Sequence, residues 1–204
     1  PENAFANVDL EVDGINARWN LLSDLNTRDI TIQGGSLSVI DKSVNARRIR
    51  VPIGIEQGIN LSGSQVNGLE EIDLNTNTSV DFSNTTFRFV NSGPEEANYT
   101  LNGAGKALGN IIVGSNTNLQ VSGDNTLNKI VVQGGLVLSG NNVLDTLQLS
   151  GQADVVFQGG TTQTINSDFS GTGQAGDLLG IRAEGGIANL IAENESARYC
   201  FDFI

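Results

Sequence analysis

The chain has 204 residues, which is long enough to bury one hydrophobic core and allows one or two domains. Its 11 basic and 23 acidic residues give a net charge of −12, which disfavours nucleic acid and anionic lipid surfaces as partners. Histidine is absent from the sequence, so Ser-His-Asp and Cys-His catalysis and zinc sites with a histidine ligand are excluded.

The rest of the composition favours an extracellular β-rich protein. Charged residues make up only 17% of the chain, so solubility depends on Asn, Ser, Thr, Gln and Gly as much as on charge. The single cysteine, Cys200, excludes an internal disulfide. No apolar run approaches the roughly 20 residues of a membrane helix, so we expect no membrane insertion of this segment. Because methionine is absent, we expect the chain to be a piece of a longer protein.

The first 24 residues are predicted to form a capping or irregular segment. Val8–Val12 alternates apolar and acidic residues, which predicts a half-buried strand with Asp9 and Glu11 pointing outward. Arg18–Leu25 contains the only tryptophan and is compatible with a helical turn or with irregular structure.

Short strands are predicted from Leu25 onward, where Leu25–Gly35 resembles the later stretch Leu127–Gly135. Turns rich in Gly, Ser and Asn separate them. Asn91–Asn98, with Pro94 and two adjacent acidic residues, interrupts the pattern of strands and turns and is predicted to be a bulging loop. The strands predicted before that loop are Ser36–Val39, Arg48–Val51, Ile59–Leu61, Glu71–Leu74, Ser79–Phe82 and Thr86–Val90.

The stretch Leu108–Phe157 repeats one pattern nearly three times. Leu108, Leu127 and Leu144 each precede a strand, a polar turn and a second strand, at intervals of 19 and 17 residues. A period near 20 residues built from strands is typical of a solenoid. Alternation as in Leu119–Val121 points one side chain inward and the next outward. The sequence therefore predicts an all-β fold, a right-handed parallel β-helix with an N-terminal capping segment that covers its first coil.

The pattern continues to the end of the chain. About ten coils spaced ~4.8 Å apart would make a rod about 50 Å long. The predicted domains are a cap at residues 1–24 and a β-helix at residues 25–204, which we expect to continue beyond residue 204. The later strands are predicted at Ile165–Phe169, Leu178–Ile181, Gly186–Ile191 and Tyr199–Ile204, with turns at Ser170–Gly176 and Ala183–Gly185.

Acidic groups are the candidates for catalysis or calcium binding. β-Helical polysaccharidases use clustered carboxylates on an outer face, either as calcium ligands or as an acid/base pair. A solvated strand face or loop is the favoured interpretation, because no row of acids recurs at the coil period. The groups are Asp9/Glu11/Asp13, Glu70/Glu71/Asp73 and Glu95/Glu96.

The one basic cluster contains Arg47, Arg48 and Arg50. A lyase could use such residues to neutralise uronate carboxylates, but a surface face that balances nearby acids is favoured. We therefore assign no catalytic residue, no cofactor or cofactor-binding residue and no metal ligand.

Three further features have structural interpretations. The Thr-rich segments Asn75–Thr78 and Thr161–Thr164 do not recur in register, which disfavours an ice-binding face. Asn141, Asn142 and the Asn residues of the other turns are predicted as corner residues that accept a left-handed backbone. Cys200 lies in an alternating apolar strand and is predicted to be a buried small hydrophobic residue.

The segment of residues 127–151, LNKIVVQGGLVLSGNNVLDTLQLSG, resembles the β-helical repeats of very large secreted surface proteins of Bacteroidota. These include gliding-motility adhesins and other cargo of the type IX secretion route. The last strand, Ala197–Ile204, resembles the strand that follows those repeats. Asp145-Thr146-Leu147 resembles the O-glycosylation acceptor of those bacteria. The resemblance implies export, surface attachment and a role in adhesion or as a stalk, and it implies no catalytic residue.

Two functions are consistent with the sequence. The favoured one is a non-enzymatic structural or adhesive segment of a large exported bacterial surface protein, located at the cell surface or outside the cell. Its expected partners are the secretion or cell-surface machinery and surface polysaccharides, without nucleic acid. The alternative is a carbohydrate-active β-helix, either a polysaccharide lyase or a glycoside hydrolase, which would show charged groups converging in a groove.

Overall fold

The computed structural model describes residues 8–53, 55–173, 176, 178–192 and 198–202. In this part of the chain every paired strand runs parallel to its neighbours and there is no helix. The strands wind into a solenoid of about eight turns. The predicted fold class is confirmed, while the number of coils is smaller than the ten expected.

Three parallel sheets form the walls of the solenoid. We number the strands β1–β23 in chain order. The nine-stranded sheet contains β1 (Leu10–Val12), β4 (Asp29–Ile32), β7 (Arg48–Arg50), β10 (Glu71–Asp73), β13 (Ala97–Asn102), β15 (Thr117–Ser122), β17 (Gly135–Leu138), β19 (Asp154–Gln158) and β21 (Gly180–Glu184). The four-stranded sheet contains β2 (Arg18–Leu21), β5 (Gly34–Val39), β8 (Ile55–Asn60) and β11 (Ser79–Asp81).

The ten-stranded sheet closes the coil. It contains β3 (Leu25–Asn26), β6 (Ser43–Asn45), β9 (Gln65–Asn67), β12 (Thr86–Phe89), β14 (Ala107–Val113), β16 (Thr126–Val132), β18 (Asn142–Ser150), β20 (Thr162–Thr172) and β22 (Asn189–Ala192). Its tenth strand, β23 (Arg198–Asp202), pairs with the second half of β20.

The coils change from three sides to two partway along the solenoid. Each of the first four coils contributes one strand to each sheet, and β11 is the last described strand of the four-stranded sheet. Later coils replace two short strands with one long strand that bends. Leu108 pairs with Leu127 and Asn110 with Lys129, so the pairing skips the residues between them at the bend.

The side chains that point inward form continuous stacks. Ile111, Ile130 and Leu147 are register partners in β14, β16 and β18, and each is fully buried. Leu108, Leu127 and Leu144 form a second buried stack on the other side of the bend. The repeated leucines therefore belong to the long strands themselves, and removal of these apolar layers from water stabilises the column.

Several boundaries differ from the predictions. Arg18–Leu21 is strand β2 and not a helical turn, so β1 and β2 of the predicted cap form a coil that pairs with β4 and β5. Residues 1–7 of the cap and residues 203–204 of the last predicted strand lie outside the described residues. β20 extends to Thr172, three residues into the predicted turn. The predicted strands Leu178–Ile181 and Gly186–Ile191 are replaced by β21 and β22, which begin later.

A buried row of side-chain amides occupies one corner of the later coils. Asn125, Asn142 and Gln163 lie in consecutive coils and are almost completely buried. Nδ2 of Asn142 donates to Oε1 of Gln163 at 3.1 Å. The prediction of a left-handed backbone was wrong at Asn141 and Asn142, because the residue with positive φ at this corner is Gly140. It is confirmed in other Asn-bearing turns, at Asn16, Asn84 and Asn116.

Candidate binding groove

A large groove lies on the outer face of the nine-stranded sheet. It has a volume of about 710 Å³ and runs across strands β13 to β21. Four strand spacings correspond to a length of ~19 Å along the solenoid axis. This face bears no strand edge, so a ligand there would contact side chains rather than extend the sheet.

Two valines form an apolar floor. Leu136 and Leu138 point into the column, so Val137 between them must point outward. The same alternation in β19 places Val156 on the outer face, and Val137 and Val156 are register partners. Only 4% of Val156 is exposed, so the half-buried Val137 supplies most of the accessible apolar surface of the floor.

Glycines keep the floor free of side chains next to the valines. A Cβ atom on Gly135 would lie 2.1 Å from Oδ1 of Asn118, and one on Gly134 would lie 2.4 Å from the carbonyl oxygen of Thr117. Larger residues at these two positions would therefore fill the groove or displace its wall.

Side-chain amides form one wall of the groove. Asn98 of β13 and Asn118 of β15 are register partners. Nδ2 of Asn118 donates to Oε2 of Glu96 at 3.2 Å and to Oδ1 of Asn98 at 3.4 Å. This leaves Oδ1 of Asn118 as an acceptor that faces the groove floor at Gly135. Gln133 and Gln152 add two more amides to the lining.

An ion pair closes the other end of the groove. Arg182 of β21 donates to Oδ1 of Asp154 in β19. This hydrogen bond, together with the negative charge of Asp154, raises the pKa of the Arg182 guanidinium above its ordinary value. Arg182 is the one cation among the described residues that line the groove, and Asp154 neutralises it.

Each carboxylate of the groove is engaged by a neighbouring side chain. Glu96 accepts a hydrogen bond from Nδ2 of Asn118 in β15, and Asp154 in β19 accepts one from Arg182. The groove can therefore offer hydrogen-bond donors and acceptors, and both of its carboxylates have partners.

The basic cluster lies on the same sheet but in earlier coils, where each arginine has an acidic partner. Arg50 binds Glu71 through two hydrogen bonds of 2.9 and 2.5 Å. Arg47 and Arg48 lie 3.3 and 3.7 Å from Asp29. The prediction that this face balances nearby acids is confirmed.

The acidic candidates are distributed in the same way. Asp9 pairs with Arg28, Glu70 lies 3.8 Å from Arg47, and Asp73 accepts a hydrogen bond from Asn102. Glu95 and Glu96 lie in the predicted loop between β12 and β13, and Glu96 alone of the acidic candidates reaches the groove. Glu11 accepts a hydrogen bond from Gln33. Within the described ranges, no three acidic or cysteine side chains are close enough to hold a metal ion.

The remaining candidates lie away from the groove. Cys200 is exposed, so the prediction that it is buried was wrong; its strand β23 lies on the sheet edge beyond β20. Asn75 begins the first Thr-rich segment at a corner, where its amide donates to the carbonyl oxygen of Val51 at 2.9 Å. Thr162 and Thr164 belong to β20 of the ten-stranded sheet. The two segments therefore do not share one flat face.

Sequence reasoning missed the groove, although a signal was present. Outward positions in a solvated strand are normally polar, yet Val137 and Val156 are apolar and lie one coil apart. The adjacent Gly134–Gly135 pair was a second signal, because paired glycines remove side chains from the same surface.

The described part of the chain contains no helix long and apolar enough to span a bilayer. No family model matches this chain, and neither a curated protein nor a solved structure matches it.

Proposed function

We propose that the chain is a non-enzymatic structural and adhesive segment of a large exported bacterial surface protein. In this role the solenoid is a rigid spacer that holds an outer binding face away from the cell. Its location is the cell surface or the extracellular space. Its partners are the secretion or cell-surface machinery and surface polysaccharides.

The continuous hydrophobic column is the observation that carries the structural part of the proposal. Inward stacks such as Ile111, Ile130 and Leu147 bind each coil to the next, and parallel hydrogen bonds connect the same coils. Such a repeat array gains stability from every neighbouring interface. A rod of this construction can transmit force along its axis without a change of shape.

The outer faces support the adhesive part. The arginine cluster is neutralised by acids, and the groove presents amides over an apolar floor. Amide groups can donate and accept hydrogen bonds simultaneously, which suits the hydroxyl groups of glycans. The resemblance of residues 127–151 to surface-protein repeats supports the same function.

A carbohydrate-active enzyme is the second candidate, because one groove contains two carboxylates and an arginine. Glu96 accepts a hydrogen bond from Asn118 and Asp154 is paired with Arg182, and these partners disfavour an acid/base pair for hydrolysis. Lyase chemistry requires a cation that meets a uronate carboxylate, whereas Arg182 is already paired with Asp154.

Two measurements test the proposal together. Antibodies against the purified chain should label intact cells of the producing organism, and protease treatment of intact cells should remove the signal. The purified chain should release no reducing ends and no unsaturated uronate product from soluble polysaccharides. Labelling only after lysis would contradict the surface role, and polysaccharide cleavage that purifies with the chain would favour the enzyme.

A further inference from the structure

We infer that the groove across β13 to β21 binds an uncharged polysaccharide that lies along the solenoid axis. This inference deepens the proposed adhesive function and rests on it. It assigns a ligand class and a site, both argued from the groove's lining.

The shape of the groove favours a chain over a small molecule. Its floor continues over two coils, since Val137 of β17 lies beside Val156 of β19. The lining extends for ~19 Å along the solenoid axis, from Asn98 to the ion pair at Arg182, so an elongated ligand can lie along it. A polymer of similar units can occupy it in several positions.

The chemistry of the lining matches sugar rings. Asn98, Asn118 and Gln133 supply amide donors and acceptors for hydroxyl groups. Val137, which is half-buried, offers an apolar surface on which the C–H face of a ring can pack, next to the buried Val156. A protein strand, in contrast, would need free backbone groups at a sheet edge, and this face has none.

The charges disfavour an acidic polysaccharide. Glu96 and Asp154 place two negative charges in the lining, and Arg182 compensates only one of them. The net charge of −12 adds a long-range repulsion toward uronate polymers and sulfated glycans. An uncharged glycan avoids this cost.

The expected affinity is weak for one site. No aromatic ring lines the groove in the described part of the chain, so the large contact area that aromatic side chains provide is missing. A surface protein that carries many copies of such a site would gain total affinity from multivalency.

The test measures binding to defined probes by ¹H–¹⁵N NMR, in which Asn and Gln side-chain amides give their own signals. The probes are soluble β-glucan and mannan oligosaccharides, polygalacturonate oligomers of similar length and an unstructured peptide. At millimolar concentration, at least one neutral oligosaccharide should shift the signals of Asn98 and Asn118, while polygalacturonate and the peptide should not.

Matched variants locate the site. Val137→Arg fills the groove and should abolish binding, whereas Val131→Arg places the same residue at a half-buried outer position of the ten-stranded sheet and should not. Asn118→Ala should weaken binding about five- to tenfold, the equivalent of about one hydrogen bond. Asn128→Ala, which removes an exposed amide of the ten-stranded sheet, should have no effect.

The outcomes separate the inference from the proposed function. Preference for polygalacturonate or the peptide, no binding to any probe, or neutral binding unaffected by Val137→Arg would each overturn the inference. Each of these results leaves the surface location and the structural role intact. Cleavage of a bound oligosaccharide would overturn the proposed function, while the site assignment would stand if Val137→Arg abolished that cleavage.

Discussion

Asn125 and Asn142 stand one above the other in consecutive coils, and a single oxygen connects them. Oδ1 of Asn142 lies 3.0 Å from the backbone nitrogen of Asn125 and 3.3 Å from its Nδ2. Gln163 extends the row by one coil through a 3.1 Å hydrogen bond from Asn142. Because these side chains are buried, each coil satisfies the polar groups of its neighbour, and a shift of register would leave them unpaired.

Substitution of Asn142 should therefore destabilise the protein more than its volume suggests. Asn142→Leu leaves the buried backbone N–H of Asn125 without its acceptor, at a cost of about 1–3 kcal/mol. It also removes one acceptor of the Asn125 side-chain amide, which keeps the carbonyl oxygens of Ser122 and Gly123. Asn128→Leu is the control, because Asn128 is exposed and its side chain donates only to Asn110. Urea unfolding should show a clearly lower free energy of unfolding for the first variant. Equal values for the two variants would contradict a structural role of the amide row.

The sequence predicts the fold well where the repeat is regular. In β15 and β17 strict alternation separates inward from outward residues, and the predicted inward leucines are buried. β18 alternates in the same way on each side of its bend. The short strands of the early coils were harder to recognise. β6 and β9 each contain one apolar residue, Val44 and Val66, so no alternation was available to identify them. β13 was hidden by its polar residues and by the loop that precedes it.

The groove and the amide row depend on alignment between coils, which sequence alone does not provide. Asn118, Gly135 and Asp154 become neighbours only because the intervening coils contain 17 and 19 residues. One more residue in either turn would place different side chains side by side. The repeat and its alternation were enough to predict the class of fold. Because coil length varies, they did not predict which side chains are neighbours on the surface.

The hydrophobic column should be far more sensitive to charge than the face outside it. Ile130 has no exposed surface, while its neighbour Val131 is only half-buried and points outward. Ile130→Asp buries an unpaired carboxylate and should cost about 3–5 kcal/mol, as other uncompensated buried charges do. Val131→Asp should cost less than about 1 kcal/mol. The free energies of unfolding in urea measure both, and similar losses would mean that the two faces are not distinguished.

The ion pair between Arg50 and Glu71 should contribute little to stability. Its geometry is bidentate, and the hydrogen bond to Glu71 raises the pKa of the Arg50 guanidinium above its ordinary value. Both side chains are partly exposed, so solvent screens the attraction. A double-mutant cycle with Arg50→Gln and Glu71→Gln should give a coupling energy below about 1 kcal/mol that decreases in high salt. A coupling of several kcal/mol, unaffected by salt, would show that this pair is effectively buried.

Asp81 should make part of the stability dependent on pH. Hydrogen bonds from the hydroxyl and the backbone N–H of Ser83 hold the pKa of Asp81 below its ordinary value of 3.8. Because the folded state has the lower pKa, this contribution is fully present above pH 3.8 and is lost as the pH falls through the folded-state value. Asp81→Asn should therefore lower the free energy of unfolding at neutral pH, and the difference from the natural protein should shrink in acid.

The control for Asp81 is the donor residue. Ser83→Ala removes the hydroxyl donor and should reduce the same pH-dependent contribution, with a smaller effect because the backbone N–H remains. Acid titrations of the unfolding free energy compare the three proteins. A difference between Asp81→Asn and the natural protein that grows below pH 3.8 would have the wrong sign for a depressed carboxylate pKa.

Gly109 lies at the bend of β14 and should tolerate no side chain. A Cβ atom there would lie 2.2 Å from the carbonyl oxygen of Thr85 and 2.7 Å from that of Phe82, and both belong to the backbone of the preceding coil. The carbonyl of Thr85 also accepts a 2.7 Å hydrogen bond from the backbone nitrogen of Asn110, so it cannot move away without losing that bond. Gly109→Ala should therefore cost about 1–3 kcal/mol through overpacking.

Gly58→Ala in β8 is the matched control for the bend. The nearest atom to a Cβ at Gly58 is the side-chain Cβ of Ser36 at 3.2 Å, and the closest backbone oxygen lies 3.7 Å away. Alanine also restricts the unfolded chain more than glycine does, so this variant should be neutral or slightly stabilised. Thermal unfolding should show a lowered midpoint for Gly109→Ala alone. If both variants have the same unfolding midpoint as the natural protein, the distance from Gly109 to the backbone of the preceding coil must be greater than the structure shows. The bend of the long strands would then not depend on this close contact.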